Sequence, residues 1–466
     1  MRVRGPLSGP VGVARVQPHP PVAPALRRAF RAHARTANAE AFIELIAAGW
    51  MLLAVIAVFT ISSSILTKFG IHYLTTGGIF YEKLHPATYF TLLAFSFLLL
   101  RSRGPIGEID RMFSAAKLLL VYLACWLFLL IQVLVLERPF TVIIDTFLLP
   151  ILIALVMWQL SPVQRRPLVW ALHLTILVNV VLGYYEYFSG HRLIPLTLGD
   201  VVVVGEWRSA ALLGHPLTAS GVVGAYVLAL VLRPAICPPI LVRLPLIAFC
   251  LASLMAFGGR TSLVTVLAVI GLVGAFEALR LMRGQRVPLP AAILAICVLF
   301  AAVAAIFAAL SLGVFDKMLL RFSSDKGSAL ARFATFSLLS QFDWYELMLG
   351  PNPVRVNALQ AQLGLNYGIE NFWISSIVQF GLIHTVALTV GLVCFFVEML
   401  RRSSRAAWAI VLLIVVIAAS SVSFSSKNIQ LAQFVILISL LLPREQRRVA
   451  VPRQPLAQAS YRSVSA

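Results

Sequence analysis

Apolar residues in this chain come in long runs, and polar residues gather in the gaps between them. The runs cover about 42–66, 79–100, 115–136, 140–159, 168–188, 209–232, 240–257, 261–282, 290–315, 372–399, 406–425 and 428–442. A hydrocarbon core about 30 Å thick takes roughly 20 apolar residues of helix. The pattern therefore predicts an all-α integral membrane protein with about twelve transmembrane helices, the last being the shortest. The first run is too long for the apolar part of a signal peptide and lacks a convincing small-residue cleavage site, so it reads as an anchor. Residues 1–40, with seven arginines and six prolines, read as a disordered basic tail. The transmembrane domain is then 41–443, and 444–466 form a second tail. Two connections are long, 189–208 and 316–371. In the second, Phe333, Phe336, Leu339 and Phe342 step at helical spacing and lead to Trp344 and Leu347. That spacing predicts an amphipathic helix lying on the membrane surface.

Composition agrees with the pattern. The chain is 60% apolar and 12% charged with a mean hydropathy of +0.91. Soluble domains carry about 25% charged residues, so soluble and disordered classes are excluded. A net charge of +20 would suggest nucleic acid for a soluble chain, but basic residues mark cytoplasmic loops in a membrane protein. With the N-terminal tail inside, 26 of the 38 Lys and Arg fall on inner segments. Both termini are expected in the cytoplasm and 316–371 outside, with the lipid bilayer as a partner and no nucleic acid. Cys125, Cys237, Cys250, Cys297 and Cys394 form no CxxC pair and read as packing residues.

Charges at the membrane edge are expensive and ask for a reason. On the outer side these are Arg208, Arg260, Arg321, Arg332, Arg355 and Lys427. A lone arginine at a helix end can be an interface anchor that snorkels. These lie on the side that the positive-inside rule disfavours, and several flank the long loop, where guanidinium forks would suit a diphosphate. Among the acids, Asp200, Glu206, Asp316, Asp325, Asp343, Glu346 and Glu370, Glu370 stands out because Glu370-Asn371-Phe372-Trp373 opens a helix. It reads either as a cap stabilised by the helix N-terminus or as a general base. Asp145 is expected to face the bundle interior, and Glu108-Ile109-Asp110 reads as a solvated loop. Trp207, Trp344, Tyr345, Tyr367 and Trp373 would stack on sugars or form an aromatic belt. No Walker A, HExxH or Cys/His metal cluster is present.

The order of these features resembles the O-antigen ligase and O-antigen polymerase superfamily. The resemblance runs over about 205–395 and rests on the following residues. Arg208 is followed by Gly214-His215-Pro216, and Gly259-Arg260-Thr261-Ser262 opens a helix. A long loop then carries Arg321 and Arg332, and Gly350, Glu370-Asn371 and Gly381 follow. It implies a GT-C-type glycosyltransferase of the bacterial inner membrane with a large periplasmic loop and neither metal nor cofactor. The implied donor is a glycan on undecaprenyl diphosphate, and the implied partners are a glycan acceptor and a chain-length regulator. Arg208, Arg260 and Arg321 would hold the diphosphate, joined by Arg332, with His215 and Asn371 as secondary contacts and Glu370 as base. Many members carry histidine where Glu370 stands, so the glutamate leans toward polymerase-like exopolysaccharide members. The rival readings are a lipid-linked oligosaccharide transporter or flippase, and a non-catalytic scaffold.

Overall fold

The structure is a computed structural model. It describes residues 24–75, 77–101, 104–198, 201–202, 207–232, 234, 236, 238–284, scattered residues between 289 and 316, 328–365, 368–424 and 426–444. In chain order the helices are α1 (Pro24–Thr60), α2 (Ser63–Lys68), α3 (Pro86–Leu99), α4 (Gly104–Ala115), α5 (Lys117–Val135), α6 (Thr141–Gln159), α7 (Pro162–Ser189), α8 (Pro216–Val231), α9 (Ile240–Phe257) and α10 (Arg260–Met282). They continue as α11 (Ser328–Leu339), α12 (Trp344–Leu349), α13 (Pro353–Gln362), α14 (Phe372–Phe380), α15 (Leu382–Arg402), α16 (Ala407–Ser420) and α17 (Gln430–Leu441). A two-residue ladder, Thr197–Leu198 with Val201–Val202, is the one pair of strands among the described residues.

Among the described residues, seven helices are long and apolar enough to cross a membrane: α1 from Ala39, α5, α6, α7, α9, α10 and α15. Four more apolar helices, α3, α8, α16 and α17, are shorter. The sequence reading of about twelve spans thus meets seven long apolar helices among the described residues, and its ninth run, 290–315, lies largely outside them. The run 372–399 is not one span. It breaks at Gly381 (φ +88) into α14 and α15, and a Cβ there would meet the Met348 carbonyl at 2.5 Å. The first helix begins at Pro24, inside the stretch expected to be tail.

Hydrophobicity around each helix decides its place. α8 and α17 are apolar on every side and almost wholly buried, as helices at the centre of a bundle must be. α5 buries only Leu119, Tyr122, Trp126, Leu129 and Val133, a seam at three- and four-residue steps that packs on α15, where Gly391 admits Tyr122 and Cys125. Its other face leaves Leu120, Leu127 and Ile131 exposed, which suits lipid.

One end of the bundle is zipped by charge. Glu108 is buried and pairs with Arg111 at 2.7 Å, and Arg101 pairs with Glu44 at 2.5 Å. Arg111 also reaches Gln159. The expected solvated loop at Glu108 is instead the helix α4 with an interior carboxylate. Arg402 joins the same end, covering the Trp158 ring and pairing with Glu398.

The opposite end carries the folded part of 316–371 and is called the loop end below. There α11, α12 and α13 enclose their own small core of Leu338, Phe342, Val356, Leu365 and Ile369, which docks on Ile374 and Val378 of α14. Gln132 and Arg138 donate to the carbonyls of Leu349 and Pro351 and fix this unit to the end of α5.

Candidate functional site

The short helices create the site. α3, α8, α16 and α17 have 14, 16, 14 and 12 residues, about 18–24 Å of helix against about 30 Å of hydrocarbon. Three of them are anchored at the zipped end. The Ser404 N–H donates to Leu442 at the end of α17, the Ala407 N–H opens α16 by donating to Ser404, and α3 runs into Arg101. Their shortfall therefore falls at the loop end. The turns before α3 and α8 are buried, with Leu84, His85, Ser209, Ala210 and Ala211 covered, and buried backbone off a helix must be satisfied by protein.

Two histidines supply part of that. His85 and His215 each precede a proline and cap a helix, accepting at Nδ1 from the N–H two residues on, Ala87 for α3 and Leu217 for α8. Nε2 of His85 lies 2.7 Å from the Ile61 carbonyl, so this ring is the Nε2–H tautomer. His215, expected to touch substrate, is a cap at this end of α8.

Asp145 anchors the centre. Pro150 has no N–H to give to residue 146 and crowds that carbonyl, and here α6 widens into a π-turn over Ile144–Leu148. The loosened carbonyls of Ile143 and Phe147 accept from Trp126 and Tyr122 of α5. Asp145, fully buried in the π-turn, accepts from the Tyr73 hydroxyl (2.9 Å), the Thr88 hydroxyl (2.6 Å) and the His85 N–H (3.1 Å). The Lys427 ammonium lies 3.7 Å away and 3.8 Å from the Tyr73 ring centre, and donates to the carbonyls of Tyr73 and Lys83. Burial lowers the Lys427 pKa to about 8, with Lys83 adding to the fall and Asp145 opposing it. Tyr73 is driven well above its usual value by burial and then by Asp145. A narrow seam lined by Thr146, Phe147, Phe372, Ser376, Gln379 and Ser426 separates this cluster from α14.

The arginines come next. Glu186, buried near the end of α7, accepts from the N–H groups of Leu193, Ala210 and Ala211. It thereby holds both ends of the long connection and the left-handed backbone of Ala211 (φ +49). This places half-buried Arg208 with its Cγ and Cδ against Gly258, where even a Cβ would lie 2.7 Å away. The Ser209 N–H donates to Ala256. Two residues beyond Gly258, Arg260 opens α10. The Thr261 hydroxyl lies 3.5 Å from that of Ser420 at the end of α16, and the neighbouring Ala419 carbonyl accepts from Asn371 Nδ2 at 3.3 Å. Thr261, next to Arg260, and Asn371, next to Glu370, thus both reach the end of α16.

Asn371 is the cap of α14, its Oδ1 accepting from the Ile374 N–H at 3.1 Å. The capping alternative for Glu370 thus passes to its neighbour, and Glu370 stands half-buried one residue before the cap. Arg321 lies outside the described residues, as do Asp200, Glu206, Asp325 and Tyr367. Arg332 lies on α11, and its side chain is likewise outside. Glu346 is committed elsewhere, pairing with Arg355 at 2.8 Å and closing a capping box with Asp343. Sequence reasoning missed Glu186, Tyr73 and His85. The repeat of His85-Pro86-Ala87-Thr88 in His215-Pro216-Leu217-Thr218 was the available signal for the caps.

No protein-family model matches the chain, and no curated protein matches it.

Proposed function

We propose that the chain is a membrane glycosyltransferase that joins glycan units carried on a polyprenyl diphosphate, working at the loop end on the periplasmic side of a bacterial inner membrane. The observation that carries this reading is that Arg208 packs on Gly258, two residues before Arg260, while Thr261 and Asn371, the chain neighbours of Arg260 and Glu370, both reach the end of α16. Arg260 is the first residue of a 23-residue helix. A cation at that end adds to the positive pole of the macrodipole, and such a place favours an anion. In the proposed step an acceptor hydroxyl oxygen attacks the anomeric carbon of the donor sugar. Glu370 takes the hydroxyl proton as the bond between that carbon and the phosphate oxygen breaks, and the diphosphate leaves with the electron pair. Charge grows on the leaving group, so fixed guanidinium groups stabilise the transition state more than the ground state. The resemblance to O-antigen polymerases supports the same assignment. Deleting the encoding sequence should leave single repeat units on the lipid for a polymerase, or unattached polymer for a ligase. Unchanged surface glycan would remove both.

The buried Asp145–Lys427 pair and the π-turn of α6 favour a second reading, a transporter of the lipid-linked glycan, because ionisable groups inside a bundle often mark transport paths. Movement of intact donor across proteoliposomes, with no new glycosidic bond, would select it.

A further inference from the structure

The unit formed by α11, α12 and α13 turns its apolar residues two ways. Thr335, Leu338 and Phe342 point into its small core. Phe333 and Phe336, one turn apart on α11, are 73% and 63% exposed, and Trp344 and Tyr345 at the start of α12 are 67% and 74% exposed. The stripe expected from the sequence is therefore split, because α11 ends at Leu339 and the turn after it swings Phe342 inward. Four large aromatic side chains remain outside on adjoining elements.

Exposed Asp343 and Arg355 and half-buried Glu346 border this surface and engage one another. Glu346 is held by Arg355 and by its capping box with Asp343, and Arg355 lies over the Phe342 ring. The exposed neighbours of Phe333 and Phe336 include Ser337 on α11 and Ser340 just after it, which are small and neutral. α13, by contrast, exposes Asn357 and Gln362. The patch is also continuous with a surface suited to lipid. α12 ends against Gly381 at the head of α15, and Leu349 is held by Gln132 of α5. Near those points α5 and α15 expose Ile131, Leu134, Val135, Ile383 and Val386.

We infer that Phe333, Phe336, Trp344 and Tyr345 form a foot by which the three-helix unit inserts into the headgroup boundary of the lipid leaflet at the loop end. The occupant is lipid because the patch is aromatic and continuous with the exposed apolar sides of two helices long enough to span a membrane. Aromatic rings with one polar edge are the side chains that settle at that depth. The foot holds α14, and with it Glu370, at the level of lipid headgroups. This inference does not depend on the transferase reading.

The test uses the full chain in lipid nanodiscs. Nitroxide labels on Phe336→Cys and Tyr345→Cys, in a background with the native cysteines replaced, should relax with oxygen and stay protected from a water-soluble nickel chelate. A label on Asn357→Cys should show the reverse. If the cysteine-replaced background fails to fold, Trp344 provides the second measurement. The fluorescence lost between wild type and Trp344→Phe should be quenched at least twofold by lipids brominated high on the acyl chain. Labels at Phe336 and Tyr345 open to the nickel chelate, labels shielded from both reagents as under a protein partner, or an unquenched Trp344 would each overturn the foot. So would a lipid-buried label at Asn357.

Discussion

At the scale of the residue, the account rests on what each side chain is already doing. Asn371 caps α14, so Asn371→Ala should cost about 0.5–2 kcal/mol in thermal unfolding while turnover per folded molecule changes little. Asn371 rather than Glu370 is the N-cap of α14, and Glu370→Gln keeps its shape while removing its ability to accept a proton. Turnover should fall about a hundredfold or more with donor binding intact. Unchanged turnover in Glu370→Gln would place the base elsewhere. Arg260→Lys retains the charge and loses the two-pronged fork. A charge-assisted hydrogen bond of about 1.5–3 kcal/mol lost in the transition state corresponds to a drop of roughly ten- to a hundredfold. Steady-state rates on folded protein check this, and a wild-type rate would mark Arg260 as an interface anchor.

At the scale of the element, buried turns and broken helices set the site. Gly381 lets α12 press its backbone on the junction of α14 and α15. Gly381→Ala meets both a disfavoured φ and the Met348 carbonyl. It should cost about 1–3 kcal/mol, seen as a lower melting temperature and faster proteolysis of 328–365. The Asp145–Lys427 cluster ties the segment before α3, the π-turn of α6 and the turn before α17 together. Lys427 has a folded pKa of about 8, below the value near 10.4 expected of an unfolded lysine. The unfolded chain therefore binds more protons between those values, and stability from this group rises with pH across that window. The cost of burying the ammonium is complete below pH 8 and fades as pH climbs toward 10.4. Melting temperatures of wild type minus Lys427→Met should grow more favourable from pH 8 to 10, and a flat difference would contradict the shift.

At the scale of the whole molecule, hydropathy made the helices legible and hid their unequal lengths. The segments 79–85 and 209–215 are apolar enough to read as membrane-spanning, yet His85-Pro86 and His215-Pro216 start their helices well inside those runs. Gly381 broke a predicted span because its effect depends on α12, which no local pattern connects to it. The partner of Asp145 lies 3.7 Å away in space but far along the chain, so cost alone could demand a partner without naming one. The arginines and Glu370 were visible as charges at the ends of apolar runs. The hold of Glu186 on the Arg208 loop was not, because a lone carboxylate after Leu182-Gly183-Tyr184-Tyr185 looks like any helix end.

The central claim is that bond formation occurs at this loop end, and the purified chain in detergent with polyprenyl-diphosphate-linked repeat units tests it most directly. With neither nucleotide nor gradient present, free polyprenyl diphosphate should appear in a one-to-one ratio with new glycosidic bonds, and Glu370→Gln should abolish both. Donor that stays intact in the presence of folded, donor-binding protein would contradict the account.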